Sequence, residues 1–159
     1  MGAVETLPNW PEVISIIEAD EGLTNTKNIA RRIAGLLGLC YIGHGAHRVV
    51  LDYESMALKV ALNRRGILEN YRECALFFSL PEKEKKLFAA CFGSGYGWAL
   101  FERLEPMSYC RGYREHREKM NSIKKKIAGL GINDIISPRN WGIRDGKEPV
   151  ILDYSFYQQ

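Results

Sequence analysis

Apolar positions along the chain follow two periods, three to four residues in some stretches and two in others. After Asn9, with Trp10 and Pro11 in a first turn, Val13, Ile14, Ile16 and Ile17 mark one face of a helix that Gly22 ends. Thr24 or Asn25 caps a second helix through Leu37, with Ile29, Ile33, Leu36 and Leu37 at helical spacing and Gly38 as its stop. Three short strands follow, at Tyr41-Ile42, Arg48 to Leu51 and Met56 to Ala61, with Gly43-His44-Gly45 as the first turn and a polar turn from Asp52 to Ser55. The pattern then predicts a helix from Ile67 to Leu80, with Leu68, Tyr71, Ala75 and Phe78 among its apolar positions, ended by Pro81. Glu82 to Lys86 is a charged connector with a short helical turn. Leu87 to Phe92 and Trp98 to Leu104 predict two more strands, and Tyr113 to Leu130 a basic helix with an apolar line through Met120, Ile123 and Ile127. Asn140 to Ile143 and Val150 to Asp153 flank Asp145-Gly146, a hairpin signal. The expected architecture is α+β: a five-stranded, mainly antiparallel sheet with a helix between its third and fourth strands.

At 159 residues the chain has the length of one domain with one core. Its 46% hydrophobic and 26% charged residues are ordinary for a soluble globular protein, and a net charge of +3 argues for no nucleic-acid partner. Lys124-Lys125-Lys126 reads as a solvated helix face. No apolar run approaches a membrane span, and the first twenty residues show no secretory signal. Cys40, Cys74, Cys91 and Cys110 are scattered, which argues against a zinc site or disulfide framework and for a reducing cytoplasm.

Two stretches carry candidate chemistry. Gly43 and Gly45 lie between two strands, and Lys59 stands alone among apolar residues in the next one. Backbone N–H groups beside glycines, plus one ammonium, suit a phosphate cradle. At the other end, Asn140 opens the hairpin and Asp153 closes it. In an antiparallel pair those ends meet, which brings together the amide oxygen and carboxylate that commonly hold magnesium with a triphosphate.

With these residues in hand the chain resembles the protein-kinase-like superfamily, over roughly residues 39 to 155, and especially the very small kinase-like proteins of bacteriophage genomes. An N-terminal helical segment at 1–38 precedes it, and the resemblance implies a kinase-like N-lobe at 39–104 and a strongly reduced helical C-lobe at 105–159. It implies ATP and Mg2+ as cofactors. Gly43, Gly45 and Val50 would form the glycine-rich loop, Lys59 would contact the α and β phosphates, and Glu73, or else Glu69, would pair with that lysine. Glu102, in Phe101-Glu102-Arg103-Leu104, falls in the adenine-contacting hinge. Asn140 and Asp153 match the metal ligands, and Asp134 lies near the place of the catalytic aspartate. Arg48 stands where the loop often has a third glycine. Taken singly, each residue has a plainer reading: two glycines as a turn, Lys59 as an edge-strand lysine, Glu73 as a solvated helix residue, Asp134 as a cap before Ser137-Pro138.

The function implied is phosphotransfer to a hydroxyl of a protein or of the chain itself. The alternative is a catalytically inactive kinase-like module that binds or inhibits a protein, a host protein if the source is a phage. The expected partners are a nucleotide, a protein substrate or partner and a second copy of the chain, without nucleic acid or membrane, in the cytoplasm.

Overall fold

The computed structural model describes residues 4–107, 113–132, 135 and 137–154. It is a mixed α+β structure whose largest sheet has five strands. The chain divides into two compact units, Met1–Tyr71 with Phe92–Phe101, and Arg72–Cys91 with Glu102–Gln159.

The first unit contains helices α1 (Trp10–Glu18) and α2 (Thr26–Leu37) and strands β1 (Cys40–His44), β2 (Arg48–Tyr53) and β3 (Met56–Ala61). It also holds the start of α3 (Arg64–Ser79), most of β4 (Cys91–Gly95) and β5 (Trp98–Phe101). The sheet order is β1-β2-β3-β5-β4, so β3 is central. The pairs β1/β2, β2/β3 and β3/β5 are antiparallel.

Alternation along a strand gives this sheet two chemically different faces. Val49, Leu51, Tyr53, Leu58, Val60 and Leu100 point one way and form one buried cluster with Trp10, Val13, Ile16 and Ile17 of α1 and Ala30, Ile33, Ala34 and Leu37 of α2. The two N-terminal helices therefore cover one face of the sheet. Asn9 and Asn25 stand at the N-cap positions of α1 and α2, but neither side chain caps its helix. Asn9 precedes α1 with a left-handed backbone and makes no side-chain cap; its amide instead donates to the Leu36 carbonyl at 2.8 Å and ties the two helices together. Gly38 closes α2 at φ 64, a conformation that a Cβ would penalise.

Boundaries shift at several places: α1 ends at Glu18, α3 starts at Arg64 and β5 ends at Phe101. Gly43 and His44 belong to β1, with a bulge between Tyr41 and Gly43, so the turn runs over the next three residues. The Tyr41 hydroxyl bonds His44 Nδ1 along this strand. The fourth strand starts at Cys91 instead of Leu87 and ends at Gly95. Leu87 to Ala89 are committed elsewhere: the Ile151 N–H donates to the Leu87 carbonyl at 2.9 Å, and the Ala89 N–H donates to the Ile151 carbonyl at 2.8 Å.

That pairing belongs to the second unit. It holds α4 (Glu82–Lys85), β6 (Glu105–Pro106), α5 (Tyr113–Ile127), β7 (Trp141–Arg144) and β8 (Glu148–Ile151). The last three strands pair as β6-β7-β8. The β7–β8 hairpin turns through Asp145 and Gly146 at φ 54 and 69, the left-handed pair that the Asp-Gly signal requires. Phe88, Met107, Met120, Ile123, Ile127, Trp141, Val150, Ile151 and Tyr154 are buried in this unit. Among the described residues no helix is long and apolar enough to cross a membrane.

Helix α3 inverts the expected amphipathic pattern. Leu68, Tyr71 and Phe78 are 53%, 69% and 58% exposed, whereas Asn70, Glu73, Cys74 and Phe77 are buried. The buried set has the spacing i, i+3, i+4, i+7 of one helical face, so the inner stripe is half polar.

Candidate functional site

The sheet face opposite α1 and α2 carries the first group of candidate residues. Register pairs Gly43 with Val50, Val50 with Lys59, and Lys59 with Ala99. Gly43, Val50 and Lys59 therefore stand in one row across β1, β2 and β3, with neighbouring strands about 4.8 Å apart. Lys59 is on the central strand, which removes the edge-strand explanation for it. It is 7% exposed, with Nζ 4.5 Å from the centroid of the Phe101 ring. An ammonium held against an aromatic face keeps part of its charge stabilised while the butyl stem is packed.

The glycines of the row have room around them. A Cβ at Gly43 or at Gly45 would meet no atom within 4 Å, and neither residue has a left-handed backbone. The Gly45 N–H donates to the Arg48 carbonyl at 2.9 Å and closes the turn. The fold itself therefore does not demand glycine there. Gly45→Ala is expected to leave stability within about 0.5 kcal/mol of the parent, checked by the urea midpoint. A larger loss would assign the glycine to folding rather than to an approaching ligand.

The same face shows what holds Arg48. Arg48 is 6% exposed and its Nε lies 3.1 Å from Glu69 Oε2 on α3, while Nη1 is 3.4 Å from Asn70 Oδ1. Asn70 in turn donates from Nδ2 to the Lys59 carbonyl at 3.2 Å. Glu69, the second candidate for pairing with Lys59, is thus engaged by Arg48, with Arg65 Nε 3.9 Å from its other oxygen. The chain of polar contacts fixes the start of α3 on the strand that bears the lysine.

The second unit holds the remaining described candidates. Glu73 is fully buried on α3, not solvated, and its Oε1 accepts the backbone N–H of Tyr154 at 2.9 Å. The helix glutamate is thereby joined to the residue that follows Asp153. Tyr154 is fully buried, donates its hydroxyl to the Ala89 carbonyl at 3.0 Å, and meets Phe88 edge to face. Burial, and then the Glu73 charge, push its phenol far above the ordinary tyrosine range, so it remains a neutral hydrogen-bonding anchor.

Asn140 ends a 3-10 turn, Pro138–Asn140, just before β7. Its carbonyl accepts the Leu152 N–H at 2.7 Å, which places the Asn140 backbone beside the residue that precedes Asp153. Both candidates thus stand at the same open end of the hairpin and are half-buried. An amide and a carboxylate are hard oxygen donors of the kind that magnesium takes, with phosphate oxygens and water completing its shell. Among the described residues no group of three or more His, Cys, Asp or Glu gathers into a protein-only metal site. Asp134 lies outside the described residues.

Glu102 is held by an ion pair and by the backbone of Ala90. Its carboxylate accepts from Arg144 Nε at 2.8 Å and Nη2 at 2.5 Å, and from the Ala90 N–H at 3.1 Å. The Glu102 N–H donates to the Ala90 carbonyl at 2.8 Å. Arg144 also donates to the carbonyls of Lys86 and Phe88, both at 2.9 Å. Burial alone would raise the Glu102 carboxyl, but the Arg144 hydrogen bond, the Ala90 N–H and the Arg144 charge together hold it below its usual range. The pair stabilises the folded state above the unfolded carboxylate pKa and loses that contribution as pH falls through the lowered folded value. Glu102→Gln should cost about 1–2 kcal/mol at neutral pH, and the gap should close as unfolding is repeated down to about pH 3. A gap independent of pH would remove the ion pair as its cause.

Sequence reasoning missed Arg144 and Tyr154, and it missed the partner of Arg48. Arg144 had no local signal, since its partner is 42 positions away. Arg48 had one: a charged residue opening a β-branched strand, two strands before the acid-bearing helix α3.

No family model matches the chain, and no curated protein matches it. Among solved structures it is similar to the crystal structure of choline kinase LicA from Streptococcus pneumoniae, with a TM-score of 0.38 and 13% identity, over 82% of this chain and 68% of that one. The likeness is loose, and the functional reading rests on this chain's own residues.

Proposed function

We propose that the protein is a minimal kinase-like protein that binds ATP with magnesium and transfers a phosphoryl group to a hydroxyl acceptor on a protein or on itself. The observation that carries this reading is the row of Gly43, Val50 and Lys59 across three strands, with a nearly buried lysine two strands from Gly43, and with open space where a Cβ at Gly43 or Gly45 would stand. Such a row offers backbone N–H groups, an apolar surface for a base and one ammonium for phosphate. In the second unit, Asn140 and Asp153 supply oxygen donors suited to magnesium, and Glu73 holds the backbone next to Asp153. Phosphoryl transfer needs little covalent chemistry from a protein beyond positioning and charge neutralisation. Asp134 is the acid assigned to orient the acceptor hydroxyl.

The test is thermal unfolding with ATP, with and without magnesium, followed by transfer of labelled phosphate to proteins of a cell extract. Ligand at 100 times its dissociation constant should add about 2.7 kcal/mol, or roughly 5–10 °C for a domain of this size. No magnesium-dependent shift removes the nucleotide site. A shift with no phosphate transferred, and Asp153→Ala behaving as the parent, removes the enzyme and leaves the binding module.

One observation favours that second reading. Leu68, Tyr71 and Phe78 share an exposed stripe of α3, and clustered exposed apolar residues mark interaction surfaces. Retrieval of one defined protein by the parent, lost with Leu68→Glu/Tyr71→Glu, supports a recognition role.

A further inference from the structure

Cys74 and Cys91 are 17 positions apart in sequence, in a chain whose cysteines show no paired spacing. The fold brings them together. Cys74 lies on the buried stripe of α3 and Cys91 is the first residue of β4, both nearly fully buried, with their sulfurs 2.8 Å apart. A disulfide bond is about 2.05 Å long, so bond formation needs a movement of only about 0.8 Å along the line between the sulfurs. Cys40, by contrast, is an exposed thiol on β1 with no such neighbour described.

We propose that Cys74 and Cys91 form a redox-closable pair, which an oxidant of the peroxide class converts to a disulfide that pins α3 to the start of β4. The chemistry balances with hydrogen peroxide as the two-electron oxidant. One thiolate attacks a peroxide oxygen, the O–O bond breaks, and a sulfenic acid and hydroxide form. The second thiolate then attacks that sulfur and expels hydroxide, which is protonated to water. In total two thiols and one peroxide give one disulfide and two waters. A thiol reductant reverses it by exchange.

The consequence is local and specific. Cys74 follows Glu73, whose carboxylate holds the Tyr154 N–H. Closing the pair fixes the segment of α3 that carries this glutamate, and it closes the loop containing α4. Burial keeps the two thiols from casual reaction, so the response is slow, and it reports sustained oxidation.

This proposal does not depend on nucleotide binding, and its test is separate. The full chain is exposed to a few equivalents of hydrogen peroxide over hours, remaining thiols are alkylated, and the protein is digested without reductant for mass mapping. The expected product is a Cys74–Cys91 cross-linked peptide two hydrogens lighter than the sum of its parts, in a chain that remains monomeric through this bond. Cross-linking the loop should raise the midpoint of thermal unfolding by roughly 6–12 °C, reversed by dithiothreitol and absent in Cys91→Ala. Cys74→Ala serves should Cys91→Ala not fold. Recovery of the Cys74 and Cys91 peptides as separate alkylated or sulfinic species overturns the proposal. So does a disulfide formed only between Cys40 residues of two chains.

Discussion

Replacing Arg48 by methionine is expected to lower the stability of the protein by about 3–5 kcal/mol, the usual cost of removing one partner from a buried ion pair. Arg48 is 6% exposed and the Glu69 side chain 12%. Methionine keeps the apolar volume of the stem but takes the guanidinium away, so Glu69 retains Arg65 at 3.9 Å, a half-exposed residue. Asn70 Oδ1 loses a donor at 3.4 Å as well. The loss would appear in the urea midpoint with little change in slope, because the surface exposed on unfolding is the same. The double change Arg48→Met/Glu69→Leu should recover most of it, since a well-packed apolar pair replaces a buried ion pair at little cost. A single variant that loses less than about 1 kcal/mol would mean that the pair behaves as a surface bridge and does not anchor α3.

The fate of α3 also shows how much of the protein was legible in its sequence. The strands and helices carried by strong periodicity are where the pattern put them, because their burial follows from one apolar face: α1, α2, β2, β3 and the Asp145-Gly146 hairpin are examples. The inner face of α3 is the failure. Its apolar positions Leu68, Tyr71 and Phe78 are exposed, yet Asn70 and Glu73 are inside. A periodicity argument assumes that burial is driven by transfer of apolar surface. Here the inner positions are decided by specific polar partners, Arg48, the Lys59 carbonyl and the Tyr154 N–H, which lie far away in sequence. The same limit hid the Glu102–Arg144 pair and the approach of Cys74 to Cys91.

The two groups of candidate residues, one in each unit, were legible to different degrees. The row of Gly43, Val50 and Lys59 follows from register, and register follows from the alternation of Val49, Leu51, Leu58 and Val60 toward one core. A slip of one residue would have exposed that whole set, so the sequence specified the row tightly. The surroundings of Glu102 were not specified in this way. Only the three-dimensional approach of Arg144 shows which donors hold its carboxylate.

Lys59→Met provides the sharpest test of the functional reading. Methionine keeps the buried stem of the lysine and deletes its charge, so the comparison isolates the ammonium. A charge-assisted hydrogen bond to phosphate contributes about 1.5–3 kcal/mol, and its loss should weaken nucleotide binding by about 100-fold at the upper part of that range. At an ATP concentration giving the parent about 2.7 kcal/mol of added stability, the variant would then gain only about 0.4 kcal/mol. The quantity compared is the increment with ligand in each protein, so any change in the unliganded variant cancels. Isothermal titration should show the same ratio of dissociation constants. Gly45→Ala offers an independent arm, because its Cβ faces open space in the unliganded chain and would interfere only with a ligand laid against the loop. If both variants gain as much from ATP and magnesium as the parent, the nucleotide does not bind against this row of strands, and the phosphate cradle must be sought elsewhere or abandoned.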